Sequence, residues 1–477
     1  MHICFVAAEA VPFAKVGGLA DVVGSLPAAV RALGHRVTVL LPFHGGIDPR
    51  AHSLARRLSP LPVTLGPDSW PVEIWEGRLG TGVEVVLLRL PALFDDRPIY
   101  SGGPDDPPRY AVFCRAALEV LAERGVPVDV LHVHDWPAAL VPYYLARGLR
   151  ARPALAEARV LLTIHNIAHQ PLIDPQQGER LGLHPGDFHP GGFEFYGRIN
   201  PLKAGLLWAD RVTTVAPSYA AEIGTPEGGH GLDGVLRGLP HPVVGILNGV
   251  DPQRWDPAAD PHLPHPFSAD APEGKAGCKR ALQRRLGLEP RPAATVAAVV
   301  ARLVPQKGID LVAAVAPQLA AADVQLVVVG EGDEALQAKF ERLAAEEPGR
   351  LRLVTGFAEP TARLAFAGSD LFLIPSRDEP CGLTQLIAMR YGSVPVARRT
   401  GGLADTVLDL DARLETGTGF TFDPIDPAAL LAAVRRAVAA RADRAAWARL
   451  VHRLMRLDHS WDIPARQYDE LYRSLRG

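Results

Sequence analysis

The chain has 477 residues, of which 48% are hydrophobic and 22% charged, and its formal net charge is −3. That length exceeds one ordinary core and suggests roughly two to four domains in a globular protein. The near-neutral balance lacks the basic excess with which proteins grip nucleic acid or anionic membranes, so neither is expected as a partner. In chain order, apolar runs read as strands at 2–8, 36–41, 83–90, 129–134, 159–165, 210–215 and 243–247. Helix-like patterns lie between them at 19–33, 109–124, 137–149 and 200–208. A Pro-, His- and Asp-rich stretch, 251–275, reads as loop. The pattern then restarts, with strands at 295–301, 324–330, 351–356, 370–376 and 393–397. Helices are expected at 308–321, 334–346, 360–367 and 382–391, and then at 427–440, 443–456 and 462–475.

Unbroken apolar strands such as "VEVVLLRL" (83–90) suit parallel sheets covered on both faces. The fold class is therefore α/β, with two doubly wound Rossmann-like domains facing a cleft. They are expected over 1–242 and 243–458, with 459–477 a C-terminal helix returning to the first domain. Four scattered cysteines, Cys4, Cys114, Cys278 and Cys381, show no CxxC spacing. This argues against a disulfide scaffold or zinc–cysteine site and favours a reducing compartment. The N-terminus lacks a basic n-region, and no apolar stretch approaches the roughly 20 residues of a membrane span. A cytoplasmic location is expected.

Ligands in doubly wound sheets sit beyond the carboxyl ends of the strands, so motifs there carry the argument. "FAKVGGLAD" places Lys15, Gly17 and Gly18 between the first strand and a helix. Glycines there let backbone N–H groups approach an anion, and the lysine adds a cation; a tight turn with a surface lysine reads equally well. Asp21 complements the helix dipole or joins that site. "GHGLDG" (229–234) matches a dinucleotide fingerprint by letter but follows no strand, which disfavours a nicotinamide enzyme. "VLHVHDW" ends a strand in His132, His134 and Asp135, a pattern also open to a metal-dependent hydrolase. "TIHN" brings His165 and Asn166 to another strand end, although each histidine is as readily a hydrogen-bonded core residue.

In the second half, "ARLVPQKG" sets Arg302 and Lys307 after a strand, two cations suited to a diphosphate. "PSRDEPCGLTQL" holds Glu379 in a turn before a helix opened by Gly382, Leu383 and Thr384, whose N–H groups suit phosphate. "RRTGGLADTV" repeats the GGLAD of the opening, so both domains are expected to present the same kind of anion turn.

Together, "KVGGLADV", "HVHDW", "TIHN", "EFYGRINPLKAGLLWAD", "GLDGVLR", "ILNGVD", "ARLVPQKG", "PSR-EPCGLTQL" and "RRTGGLADTV" resemble, in order, the bacterial glycogen synthases and plant starch synthases. The resemblance spans residues 1 to about 410. It implies the GT-B glycosyltransferase architecture and transfer of glucose, with retention, from ADP-glucose to the non-reducing end of an α-1,4-glucan such as glycogen. It implies no metal and no other cofactor. Carried onto this chain, Lys15, Gly17 and Gly18 lie against the sugar nucleotide, and Arg302 and Lys307 hold the diphosphate. Glu379 is the essential glutamate, Asp135 and His165 face the sugar, and Asn248 lies near the cleft hinge. Cys381 is a close-packed neighbour of the glutamate and not a nucleophile.

The chain departs from the family at Asp378, where an aromatic is usual, at Pro137, and at Gly228 and Gly229, which stand where relatives carry an aromatic. These departures bear on acceptor and nucleotide preference. A transferase using UDP-glucose or glucose 1-phosphate as a small acceptor is the nearest alternative. A metal-dependent hydrolase and a non-catalytic sugar-nucleotide-binding protein are the alternatives from other classes.

Overall fold

The computed structural model describes residues 1–80, 82–356 and 359–476. The chain forms two compact units, Met1–Gly249 with Trp461–Gly477, and Val250–Ser460.

The N-terminal unit is built on parallel strands His2–Val6, Arg36–Pro42, Val83–Arg89, Val130–His134, Arg159–Ile164, Arg211–Thr214 and Val244–Gly245. Taken as one to seven in chain order, they lie side by side as 3-2-1-4-5-6-7. The first and fourth strands are buried at every residue. Helices on both faces remove them from water, which is why they read as continuous apolar runs. The sheet continues antiparallel through Asp68–Leu79, which pairs with Val83–Arg89 and with Leu61–Leu65 and Ala55–Arg56. These strands escape a search for apolar runs because they alternate. Val72 and Ile74 are buried while Glu73 and Trp75 are partly exposed.

Other differences from the sequence reading have local causes. The helix expected at 137–149 is split into Asp135–Ala138 and Leu140–Ala146, since Pro142 has no N–H for the carbonyl of Ala138. A helix, Glu273–Arg285, opens inside the expected 251–275 loop. The N-terminal unit runs past position 242 because Val244 and Gly245 pair with Thr213 and Thr214, and Ile246 joins its core. The last helix, Asp462–Arg476, belongs to this unit as well. Trp461, Tyr468 and Tyr472 share one buried cluster with Ile3, Phe5, Val22 and Val23. The Tyr472 hydroxyl lies 2.8 Å from His132 Nδ1, and His35 Nε2 lies 2.8 Å from Asp469.

The C-terminal unit has strands Thr295–Val300, Val324–Val329, Leu351–Val354, Leu371–Ile374, Val394–Arg398 and Phe420–Phe422, all parallel. Their order is 3-2-1-4-5-6. The sixth, three residues long, gives too short an apolar run to read from sequence.

Both units therefore reverse strand order between their first and fourth strands. At that point the connections leave to opposite sides and a crevice opens at the carboxyl ends. The segments that follow those strands are 7–17 and 135–139 in the N-terminal unit, and 301–308 and 375–383 in the C-terminal unit.

Tyr472→Phe deletes the partner of a ring nitrogen on fully buried His132. The expected loss is about 1–3 kcal/mol in the N-terminal unit's stability. A denaturant titration followed by far-UV circular dichroism checks this, and an unmoved midpoint would assign the bond no net value.

Candidate active site

In the N-terminal unit, the segment after the first strand is shaped by Glu9. This carboxylate is 2% exposed and accepts the backbone N–H groups of Val16 and of Gly17, the latter at 3.2 Å. The Tyr100 hydroxyl donates to its other oxygen at 3.2 Å. Burial raises the Glu9 pKa, and the backbone bonds oppose that rise. The Gly17 N–H is thus spent on the protein's own carboxylate, which corrects its expected role as an anion donor. Lys15 is exposed and paired with Asp21 at 2.8 Å, at the start of helix Gly18–Ala32. A Cβ added to Gly18 would meet nothing within 4 Å, and one on Gly17 only Glu9 Oε1 at 3.9 Å. Neither glycine is demanded by packing, so the space above the turn is open.

The fourth strand of this unit delivers Asp135, held at φ +54°. A non-glycine residue in that region carries strain that neighbouring contacts must sustain. Here they are N–H donors: His165 at 2.6 Å and Asn166 at 3.4 Å both reach Asp135 Oδ1. Burial pushes the Asp135 carboxyl up to about 7 against those bonds. His165 Nε2 lies 2.9 Å from His134 Nδ1, and burial pushes the His165 imidazole down to about 3. At neutral pH His165 is therefore an uncharged hydrogen-bonding ring. His132 is engaged on both nitrogens, by Thr163 at 2.7 Å and Tyr472 at 2.8 Å, and is a core residue. Among the described residues no group of three or more His, Cys, Asp or Glu side chains is arranged to hold a metal ion. Asn248 is 8% exposed, and its Oδ1 has no hydrogen-bond partner among the described residues.

In the C-terminal unit, the first strand leads to the turn Pro305–Lys307 and the fourth to Glu379. The Lys307 ammonium donates to both carboxylate oxygens of Glu379, at 2.8 and 2.7 Å, and Ser376 Oγ donates to one of them at 2.9 Å. Glu379 is 8% exposed. Arg302 is exposed, and its guanidinium has no partner among the described residues. Cys381 is buried beside the glutamate. Gly382, at φ +73°, and Leu383 lead into the seven-residue helix Thr384–Arg390.

Residues that sequence reasoning left unassigned hold this turn in place. Arg377 forks onto Asp310 at 2.6 and 2.7 Å and donates to the Pro305 carbonyl, tying the two loops together. Arg398 donates to the carbonyls of Ser376 and Arg377, and Gln385 to those of Cys381 and Gly382. Arg377 and Arg398 stand within quoted motifs, but their partners are carbonyls and a carboxylate that only the fold brings near. Gln306 Nε2 reaches Asp378 at 3.2 Å, so the atypical acid faces the first-strand turn.

The second GGLAD is not an anion turn. The Gly402 N–H donates to the carbonyls of Glu379 and Pro380, both at 3.1 Å. A Cβ on Gly401, at φ +46°, would stand 2.2 Å from the Glu379 carbonyl oxygen. The pair braces the Glu379 turn, while Gly17 and Gly18 border open space. Gly228 and Gly229 are also set by packing. Side chains there would strike the carbonyl oxygens of Glu222 and Ile223 at 2.3 and 2.7 Å, so this backbone admits no aromatic.

Residues 2–238 match the starch synthase catalytic domain model, and residues 288–450 match the glycosyl transferases group 1 model. The glycogen synthase of Anaeromyxobacter dehalogenans strain 2CP-C is 47% identical over all of both chains. The chain belongs to the glycogen and starch synthase family. That of Syntrophotalea carbinolica is 42% identical over 99% of this chain and 98% of its own. The catalytic domain of Arabidopsis thaliana starch synthase IV, solved with ADP and acarbose, superposes with a TM-score of 0.93 at 35% identity, covering 100% and 99% of the two chains. Sucrose-phosphate synthase of Thermosynechococcus elongatus, 21% identical with a TM-score of 0.62 over 99% and 98% of the chains, shares the fold. The protein is a GT-B glycosyltransferase, and the hydrolase reading of His132, His134 and Asp135 falls.

Two outcomes follow from the site's construction. Gly401→Ala pushes against the Glu379 carbonyl, so kcat should fall roughly tenfold or more through displacement of the turn, as measured by steady-state kinetics. Asp135 has a pKa above its unfolded value, so it holds a proton longer when folded, and its contribution to stability fades as pH rises from about 4 to about 7. The melting temperature of Asp135→Asn relative to the parent should therefore climb across that window and level off above it. A flat difference would remove the raised pKa.

Proposed function

We propose that the enzyme transfers glucose from ADP-glucose to the non-reducing end of an α-1,4-glucan with retention of configuration. The observation that carries the reading is the Lys307–Glu379 pair at the strand reversal of the C-terminal unit, with Arg302, exposed and without a side-chain partner among the described residues, on the same strand-end segment as Lys307. Arg302 and Lys307 receive the diphosphate and stabilise the charge that grows on it as it leaves. The turn at Gly382, Leu383 and Thr384 supplies N–H groups to the same anion. Side-chain cations thereby take the part a divalent metal plays in other nucleotide-sugar chemistry.

Both oxygens of Glu379 are already occupied, one by Lys307 and the other by Lys307 and Ser376. A carboxylate so engaged is a poor attacking group and a good acceptor for sugar hydroxyls, so its role is to orient the glucosyl unit. In the N-terminal unit, the open space over Gly17 and Gly18, with Lys15 and Asp21 at its edge, takes part of the sugar nucleotide. Asp135, neutral His165, Asn166 and the unpartnered Asn248 Oδ1 supply hydrogen bonds to sugar hydroxyls. The reading includes a cytoplasmic location, in keeping with four buried free thiols; among the described residues no helix is long and apolar enough to cross a membrane.

The test is glucose incorporation into glycogen from ADP-glucose and UDP-glucose in parallel, in EDTA. Robust transfer from ADP-glucose is expected, with kcat/KM reduced roughly 100-fold or more in Lys307→Ala and in Glu379→Gln. Transfer from UDP-glucose alone would overturn the donor, and loss of activity in EDTA would overturn the metal-free reading.

A further inference from the structure

We propose that Tyr196, at the tip of a hairpin in the N-terminal unit, is a stacking platform for the acceptor glucan chain. Residues Glu194–Phe195 pair antiparallel with Arg198–Ile199, leaving Tyr196 and Gly197 as a two-residue loop. Both have positive φ, +48° and +77°. A loop of this kind favours Asn-Gly, because a bulky side chain is strained there. Tyrosine is thus a poor choice for the turn. Nor is it chosen for packing, since Tyr196 is 81% exposed. Its ring touches the edge of Phe195, with centroids 4.7 Å apart at 81°. Gly231 packs against this pair, and a Cβ there would lie 2.9 Å from Phe195 Cζ and 3.5 Å from Tyr196 Cε2.

The hairpin is rigidly held. The Gly197 N–H donates to Glu194 Oε1 at 2.7 Å, and the Lys203 ammonium donates to the Glu194 and Pro190 carbonyls at 2.5 and 2.6 Å. It is also tied to the loop that carries His165 and Asn166. Asn200 Nδ2 donates to Gln170 Oε1 at 2.9 Å, and Gln170 Nε2 donates to the Ile167 carbonyl at 2.7 Å and to the His230 carbonyl at 3.4 Å. The hairpin from which the exposed ring projects is therefore joined by hydrogen bonds to the loop that carries two of the groups assigned to sugar hydroxyls. A flat ring with a polar edge, set among exposed polar residues such as Arg198 and His230, matches a pyranose, which offers an apolar C–H face rimmed by hydroxyls. A protein partner would call for a wider apolar patch than one ring.

The choice of occupant rests on the acceptor reading given above, so the experiment separates the two. Tyr196→Ala and Tyr196→Phe are compared with the parent for the KM of glycogen, the KM of ADP-glucose and the melting temperature. Retardation in native gels containing glycogen is measured alongside, since it needs no transfer. Tyr196→Ala should raise the glycogen KM about tenfold and abolish retardation, leaving the donor KM and melting temperature in place. Tyr196→Phe, which keeps the ring, should behave as the parent. An unchanged glycogen KM and retardation in Tyr196→Ala, or a rise confined to the donor KM, would overturn the platform. If the parent transfers no glucose from ADP-glucose, the donor reading fails alone, and the gels still decide. Retardation of the parent and not of Tyr196→Ala supports the platform; no retardation of the parent overturns it.

Discussion

The Glu379 carboxyl sits at a position almost closed to water, where a polar group is tolerated only beside a partner that satisfies it. Lys307 is that partner, 72 residues earlier in the chain and bonded to both oxygens. The contact exists because the C-terminal sheet places its first and fourth strands side by side. Everything around it serves that approach. Gly308 can have no side chain, since a Cβ would stand 1.9 Å from the Pro375 carbonyl oxygen. Arg377 fastens one loop to the other, and Arg398, Gln385 and Gly402 hold the carbonyls of the turn from behind.

The N-terminal unit uses the same strand reversal with the opposite electrostatics. Glu9, Asp135 and His165 are pushed towards neutrality there: Glu9 raised, Asp135 up to about 7, and His165 down to about 3, each chiefly by burial. The C-terminal unit instead presents a full ion pair and an exposed arginine. A neutral sugar is best met by hydrogen bonds from uncharged groups, and a diphosphate by fixed cations. One topology thus provides two chemical surfaces, since the segments after strands one and four carry a single cation, Lys15, in the N-terminal unit, and Arg302, Lys307 and Arg377 in the C-terminal unit.

Much of this was legible in the chain. Continuous apolar runs gave the parallel strands, because burial on both faces removes any alternation. Antiparallel strands such as Asp68–Leu79 were not legible in that way, since their residues alternate between buried and partly exposed. Lys307, Glu379, Asp135 and His165 were singled out as charged or polar residues at strand ends, and the fold brings Lys307 to Glu379 and His165 to Asp135. The positioning residues Glu9, Arg377, Arg398 and Gln385 were not, because each acts on backbone groups that carry no sequence signature.

The two GGLAD segments mark the boundary most clearly. Sequence alone determined the α/β alternation, the residue types at the strand ends and the family, all of which depend on local pattern and composition. It could not determine that Gly17 and Gly18 border open space while Gly401 and Gly402 press against the Glu379 turn. Five identical letters have different roles because a glycine's role is set by what stands where its side chain would be. That neighbour is chosen by strand order and register, and so by the tertiary structure.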